Sequence, residues 1–162
     1  MFIKSIIQED VVNYKKISMY IAFPYCTFKC CKESGVNCCQ NSPLASAPNI
    51  DVSVSRIIDL YMSNKISKAF IFAGLEPFDS YPDMLCLIDE IRKRTEDDIV
   101  IYTGYKETEI DVMLLQLKRY KNIIVKFGRY IPNDTPRYDD VLGVTLASSN
   151  QYAKQISGGQ YD

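Results

Sequence analysis

Three stretches of this chain carry one and the same apolar spacing, and short apolar runs alternate with them. Val54, Ile57, Ile58 and Tyr61 fall at i, i+3, i+4 and i+7, as do Met84, Leu87, Ile88 and Ile91, and again Ile110, Met113, Leu114 and Leu117. Each set lays one apolar stripe along one side of a helix. Asp51 or Ser53 can cap the first helix, Ser80 with Pro82 opens the second, and Thr108 precedes the third. The runs between them are residues 17–23, 69–72, 99–102 and 123–125, continuous rather than alternating, as in strands covered on both faces. Such alternation predicts an α/β fold of right-handed β-α-β units with a mostly parallel sheet. Four strands are too few for a closed eight-fold barrel of about 250 residues, so the expected shape is a partial, open β/α barrel. The 162 residues read as one domain over 1–156, with a cysteine loop at 24–41, a long loop at 132–141 and a frayed tail at 157–162.

Five of the six cysteines stand in that loop, at Cys26, Cys30, Cys31, Cys38 and Cys39. The first residues hold no apolar run of signal-peptide length, and no stretch approaches the roughly 20 apolar residues that cross a bilayer. A cytoplasmic, reducing setting is therefore expected, in which dense thiols hold a metal or cluster rather than disulfides. The chain has no histidine, which excludes His-based catalysis and His-ligated zinc and leaves Cys, Asp and Glu as protein ligands. A net charge of −1 with scattered Lys and Arg gives no general attraction for nucleic acid or an anionic membrane, and neither is expected as a partner.

The side chains of adjacent cysteines diverge, so one is chosen from each pair: Cys26, then Cys30 or Cys31, then Cys38 or Cys39. Three thiolates leave one iron of a [4Fe–4S] cube open to substrate. A fourth would close the site and favour structural zinc or an electron carrier. In parallel α/β folds ligands lie beyond the C-terminal strand ends. The cysteine loop, Gly74-Leu75-Glu76-Pro77 and Thr103-Gly104-Tyr105 each follow a strand and should meet on one rim.

Cys26-x3-Cys30 after a strand, Cys39-Gln40-Asn41, Gly74-Leu75-Glu76-Pro77 and Tyr102-Thr103-Gly104-Tyr105 resemble the radical S-adenosylmethionine (SAM) enzymes. More narrowly, they resemble the activating proteins of anaerobic ribonucleotide reductase. Residues 7–13 are similar to that family's N-terminal segment and Ser148-Ser149-Asn150-Gln151 to its C-terminal one. The resemblance implies a radical SAM-like partial barrel and a [4Fe–4S] cluster on Cys26, Cys30 and Cys39, with Cys38 as the alternative to Cys39. It implies SAM bound at Gly74, Glu76 and Pro77 with Tyr102, Thr103 and Gly104 beside the adenosine, the aromatic pair Tyr102 and Tyr105 lining its pocket, and Asn150 reaching the site. No catalytic residue is implied beyond the cluster and SAM.

The implied activity is an oxidoreductase's. An electron enters SAM through the cluster, the C5′–S bond breaks, and the 5′-deoxyadenosyl radical takes a hydrogen atom from a glycine of the partner. That partner would be the large subunit of an anaerobic ribonucleotide reductase or another glycyl-radical enzyme, with an external electron donor such as flavodoxin. A short chain suits a partner that closes the site itself. The family pattern is Cys-x3-Cys-x2-Cys, and Glu33 stands where its third cysteine would fall. The Cys-x-Asn ending suggests an expanded loop, Cys26-x3-Cys30-x8-Cys39, which leaves Cys31 and Cys38 spare.

Two other readings stay open. One is a small radical SAM enzyme acting on another protein, a peptide or a nucleotide-like molecule; the other is a non-catalytic binding module stabilised by zinc or a cluster. Among lesser residues, Arg129 reads as a solvated cation, with a contact to a carboxylate or to the partner enzyme as the alternative, Cys86 as a packing thiol, and Asp97-Asp98 as a helix-to-strand turn.

Overall fold

The computed structural model describes residues 1–157. Two short strands, β1 (Phe2–Ile3) and β2 (Ser5–Asp10), precede β3 (Ser18–Phe23), which leads into the cysteine loop. Helices α1 (Lys29–Ser34) and α2 (Ser42–Ser46) lie within and just after that loop, and β4 (Ile50–Asp51) pairs back with β1. Then α3 (Val54–Ser63), β5 (Ala69–Gly74), α4 (Tyr81–Arg92), β6 (Asp98–Tyr102), α5 (Asp111–Leu117) and β7 (Ile123–Phe127) alternate. A hairpin of β8 (Arg137–Asp139) and β9 (Val144–Leu146) precedes the last strand, β10 (Tyr152–Gln155).

Six strands form one sheet in the order β10-β7-β6-β5-β3-β2. The central four run parallel, and β2 and β10 close the edges antiparallel. The fold is mixed α/β with a mostly parallel sheet. Because the central strands lie in chain order, each right-handed crossover steps the same way and lays its helix on the same face. There Met19, Ile21, Phe23, Phe70, Phe72, Ile99, Ile101, Ile123 and Val125 form one core with Ile57, Tyr61, Leu87, Ile88 and Leu114. Tyr61 stacks on Phe70 with ring centroids 3.8 Å apart. Each fully buried aliphatic or aromatic side chain here contributes about 1.5–3 kcal/mol, so this face supplies most of the stability.

The strand pleat sends the intervening residues to the other face. Ala69, Ile71, Ala73, Val100 and Ile124 point there, and their cover is Tyr14 with Leu142 and Leu146 from the hairpin region. The strands are thus buried on both faces, with helices on one only. That asymmetry leaves room for a cavity on the helix-free side.

Ser53 caps α3, its hydroxyl accepting from the Arg56 N–H at 3.1 Å, whereas Asp51 is drawn into β4. Ser80 holds the cap position of α4 without a side-chain bond to it, and Thr108 lies in a 3-10 turn, Glu107–Glu109, ahead of α5. The stretch expected as a loop at 132–141 contains β8. Its Asp139 carboxylate accepts from the N–H groups of Leu142 and Ala153, tying the hairpin to β10. Of the expected 157–162 tail, Ser157 is buried and accepts from the Ile123 N–H at 2.8 Å, so it docks on the sheet instead of fraying. Residues 158–162 lie outside the described residues. Among the described residues no helix is long and apolar enough to cross a membrane.

A candidate cluster and ligand site at the strand ends

No residue from Tyr25 to Ile50 is buried, so the cysteine loop is held by polar contacts rather than by a core of its own. Phe28, at φ 54°, takes the left-handed conformation that side chains rarely adopt, and it starts α1 so that Cys30 lies in its first turn. Gly35, at φ 71°, ends the helix with its N–H donating to the Cys31 carbonyl. Three bonds tie the loop to the end of β5 and the turn after it. The Glu76 N–H donates to the Tyr25 carbonyl at 2.8 Å, the Thr27 N–H to Asp79 Oδ2 at 2.8 Å, and Asn41 Nδ2 to the Gly74 carbonyl at 2.7 Å.

The loop forms one wall of a cavity of about 780 Å³ on the helix-free side of the strand ends. That is within the size range of small-molecule sites. Cys26, Cys30, Cys31 and Cys39 line it; Cys38 does not. The opposite wall is Gly74 and Glu76 after β5, with Tyr102, Thr103 and Gly104 at the end of β6. Of the other residues singled out from the sequence, Pro77 is buried in the turn behind Glu76 and lines neither pocket. Asn150 faces a smaller neighbouring pocket and donates to the Arg129 carbonyl at 2.9 Å. Tyr105 turns away from the cavity, donating its hydroxyl to Asp79 beneath the loop.

Glu76 organises the opposite wall. Its Oε1 accepts from the Phe78 N–H at 3.2 Å and the Thr103 hydroxyl at 2.8 Å, and its Oε2 from the Gly104 N–H at 2.9 Å. A Cβ placed on Gly104 would sit 3.3 Å from Cys30 Sγ and 3.7 Å from Glu76 Oε2, so thiol and carboxylate meet across that glycine. Burial pushes the Cys26 thiol up to about 12, opposed by the Phe28 N–H pointing at its sulfur, and burial raises Cys30 and Cys39 as well. Metal binding must therefore displace protons from these thiols.

Further residues at the site were not singled out from the sequence. Lys126 is buried on the cavity wall, its Nζ donating to the Gly128 carbonyl at 3.1 Å, and burial lowers it to about 8. Tyr20 and Gln151 also line the cavity. Alternation along the apolar strands could have found Tyr20 and Lys126, since 20, 73, 102 and 126 all point to the helix-free face.

Two sequence readings are corrected. Arg129 is not solvated: it is buried, and its guanidinium grips Glu109 through two bonds of 2.7 Å each. Glu33 Oε1 lies 3.1 Å from its Nε but out of line for a hydrogen bond. The guanidinium holds the Glu109 carboxyl down at about 2, and Lys29 adds a contact at 3.3 Å, so this cluster pins α1 to the domain. Cys86 is exposed, not packed.

Glu76 gives the folded chain a pH signature. It is 5% exposed, and burial raises its carboxyl from 4.5 to about 7 against the pull of its three donors. Between those values the folded state keeps the proton and the unfolded state releases it, so stability falls as pH rises from about 4.5 to about 7. Urea unfolding of the cluster-free chain should show wild type losing stability relative to Glu76→Gln over that window. A constant difference would contradict the burial account.

All six thiols are free. Among the described residues no three His, Cys, Asp or Glu side chains meet around a single ion. A tetrahedral zinc needs its thiolates within about 2.3 Å of one point, whereas a cube takes each on a different iron and needs them spread. Four thiols, Cys26, Cys30, Cys31 and Cys39, line one cavity, a soft donor set that suits iron or zinc. Residues 15–151 match the family described as 4Fe-4S single cluster domain. Comparison with curated proteins and with solved structures gives no match. The match covers most of the chain and includes the whole cysteine loop, and the protein belongs to the 4Fe-4S single cluster domain family.

Proposed function

We propose that this protein is a radical SAM activating enzyme, which uses its cluster to generate a glycyl radical on a partner such as the large subunit of anaerobic ribonucleotide reductase. One observation carries the reading: Cys26, Cys30 and Cys39 share a single open cavity with the turn after β5 and the end of β6. The chain-order central strands and one-sided helices support a partial, open β/α barrel of the radical SAM kind. When bound, the cluster would supply the electron for reductive cleavage of SAM and so the means of taking a hydrogen atom from the substrate.

The chain's own residues hold and orient. Cys26, Cys30 and Cys39 would hold the cluster by three of its irons, with Cys38 as the alternative third ligand, leaving one iron without a protein ligand. Glu76 Oε2 accepts one bond within the protein, which leaves it capacity for the ammonium of SAM. Lys126 offers a buried cation with a single carbonyl partner, suited to the SAM carboxylate. Tyr102 gives the adenosine an aromatic wall, and Asn150, held on Arg129, supports the rim. No general base is needed, which accords with a chain lacking histidine.

The cavity is open on one side, so a partner's glycine loop could enter and exclude water. An external donor such as flavodoxin would supply the electron, in a cytoplasmic setting that keeps the thiols reduced. The test is anaerobic incubation of holoprotein, SAM and strong reductant with a purified glycyl-radical enzyme. A doublet electron paramagnetic resonance signal on the partner is the expected result. Release of 5′-deoxyadenosine without that signal would redirect the reading to another protein, a peptide or a nucleotide-like substrate. Neither product would overturn it in favour of a binding module.

A further inference from the structure

The expanded loop carries two thiols that the proposed cluster does not use, and the structure brings them together. Cys31 Sγ and Cys38 Sγ lie 3.9 Å apart. Cys38 does not line the cavity, and its Sγ accepts from the Ser34 hydroxyl at 3.3 Å, while Cys31 Sγ lies 3.7 Å from Asn37 Oδ1. Of the other loop thiols, Cys26 accepts from the Phe28 N–H and Cys30 lies against Gly104. Between the pair, Gly35 turns the chain with nothing within 4 Å of where a Cβ would be, and residues 32–37 are all exposed. The segment can therefore close by the roughly 2 Å that brings two sulfurs to bonding distance without disturbing a core.

The geometry points to Cys31 and Cys38 as a thiol–disulfide couple, a reversible oxidation site beside the cluster loop that takes small-molecule disulfides such as glutathione disulfide as its oxidant. One thiolate attacks the oxidant's S–S bond, forming a mixed disulfide and releasing one reduced thiol. The second cysteine then attacks the protein sulfur, forming Cys31–Cys38 and releasing the other reduced thiol. The protein loses two protons and two electrons, and the oxidant takes both up to become two thiols. Oxidation also removes from the loop the two cysteines that neighbour Cys30 and Cys39 and compete with them for iron. In reducing compartments disulfides of this sort are transient and redox-responsive.

The inference rests on Cys26, Cys30 and Cys39 being the ligands, and the test keeps the two apart. Anaerobically reconstituted holoprotein is treated with glutathione disulfide, its free thiols are blocked, and the peptides are mapped by mass spectrometry. The expected result is a Cys31–Cys38 link with unchanged iron, reversed by dithiothreitol. Cys31→Ser and Cys38→Ser should keep their iron and stop at the glutathione adduct on the remaining cysteine. Both thiols fully blocked after treatment, with iron retained, would overturn the couple while leaving the ligand assignment intact. Iron lost from either serine variant would overturn both, since the pair would then belong to the cluster.

Discussion

Serine at Cys26, Cys30 or Cys39 is expected to abolish cluster retention, whereas serine at Cys31, Cys38 or Cys86 leaves iron content near that of wild type. The first three thiols line the cavity and are raised by burial; Cys38 does not line it, and Cys86 is exposed on α4. Serine keeps the shape but replaces a soft thiolate with a hydroxyl that stays protonated near neutral pH and binds iron poorly. With the proposed triad, loss of one ligand would leave a cube on two, so iron per chain should fall severalfold rather than by a third. Iron and sulfide counting on the anaerobically reconstituted variants checks this. Cys31 is the informative control, because it lines the cavity yet follows Cys30 directly and shares a contact with Cys38. Retention by Cys39→Ser with loss in Cys38→Ser would reverse the choice within that pair.

Alanine at Gly74 should cost about 3 kcal/mol and loosen the cysteine loop with it. Gly74 ends β5 at φ 87°, and a Cβ there would lie 2.7 Å from Ala22 Cα and 2.9 Å from the Phe23 nitrogen. Both are backbone atoms of β3, paired in register with β5, so neither neighbour can yield without breaking the ladder. Conformational strain and overlap add at this position. Gly35→Ala separates the two terms, since its φ of 71° is as unfavourable but its surroundings are open, and it should cost only about 1 kcal/mol. Because Gly74 also presents the carbonyl that holds Asn41, the alanine variant should lose iron as well as stability. Denaturant midpoints for the two variants give the comparison, and equal costs would refute the contact argument.

The central strands and three long helices were legible because their apolar spacing reports burial directly. Edge strands β2 and β10 were not, since an edge strand with one exposed side mixes polar and apolar residues, as Gln8, Glu9, Lys154 and Gln155 do. The hairpin of β8 and β9 is held by Asp139 reaching into neighbouring backbone, a contact that local sequence does not announce. The convergence of three loops on one rim followed from parallel topology alone. Arg129 was misread because its burial depends on Glu109 and Glu33, brought together only by the fold. Cys86 was misread, and Lys126 passed over, for a different reason. Helical and strand periodicity, applied residue by residue, already places Cys86 off the stripe of Met84, Leu87 and Ile88 and Lys126 on the cavity face.

The most direct test of the account asks the holoprotein alone to cleave SAM. Anaerobically reconstituted protein with about four irons per chain, given SAM and a strong reductant, should release 5′-deoxyadenosine and methionine, and Cys30→Ser should release neither. A protein that binds zinc through four thiolates, or a full cluster that leaves SAM intact under the same reductant, would contradict it.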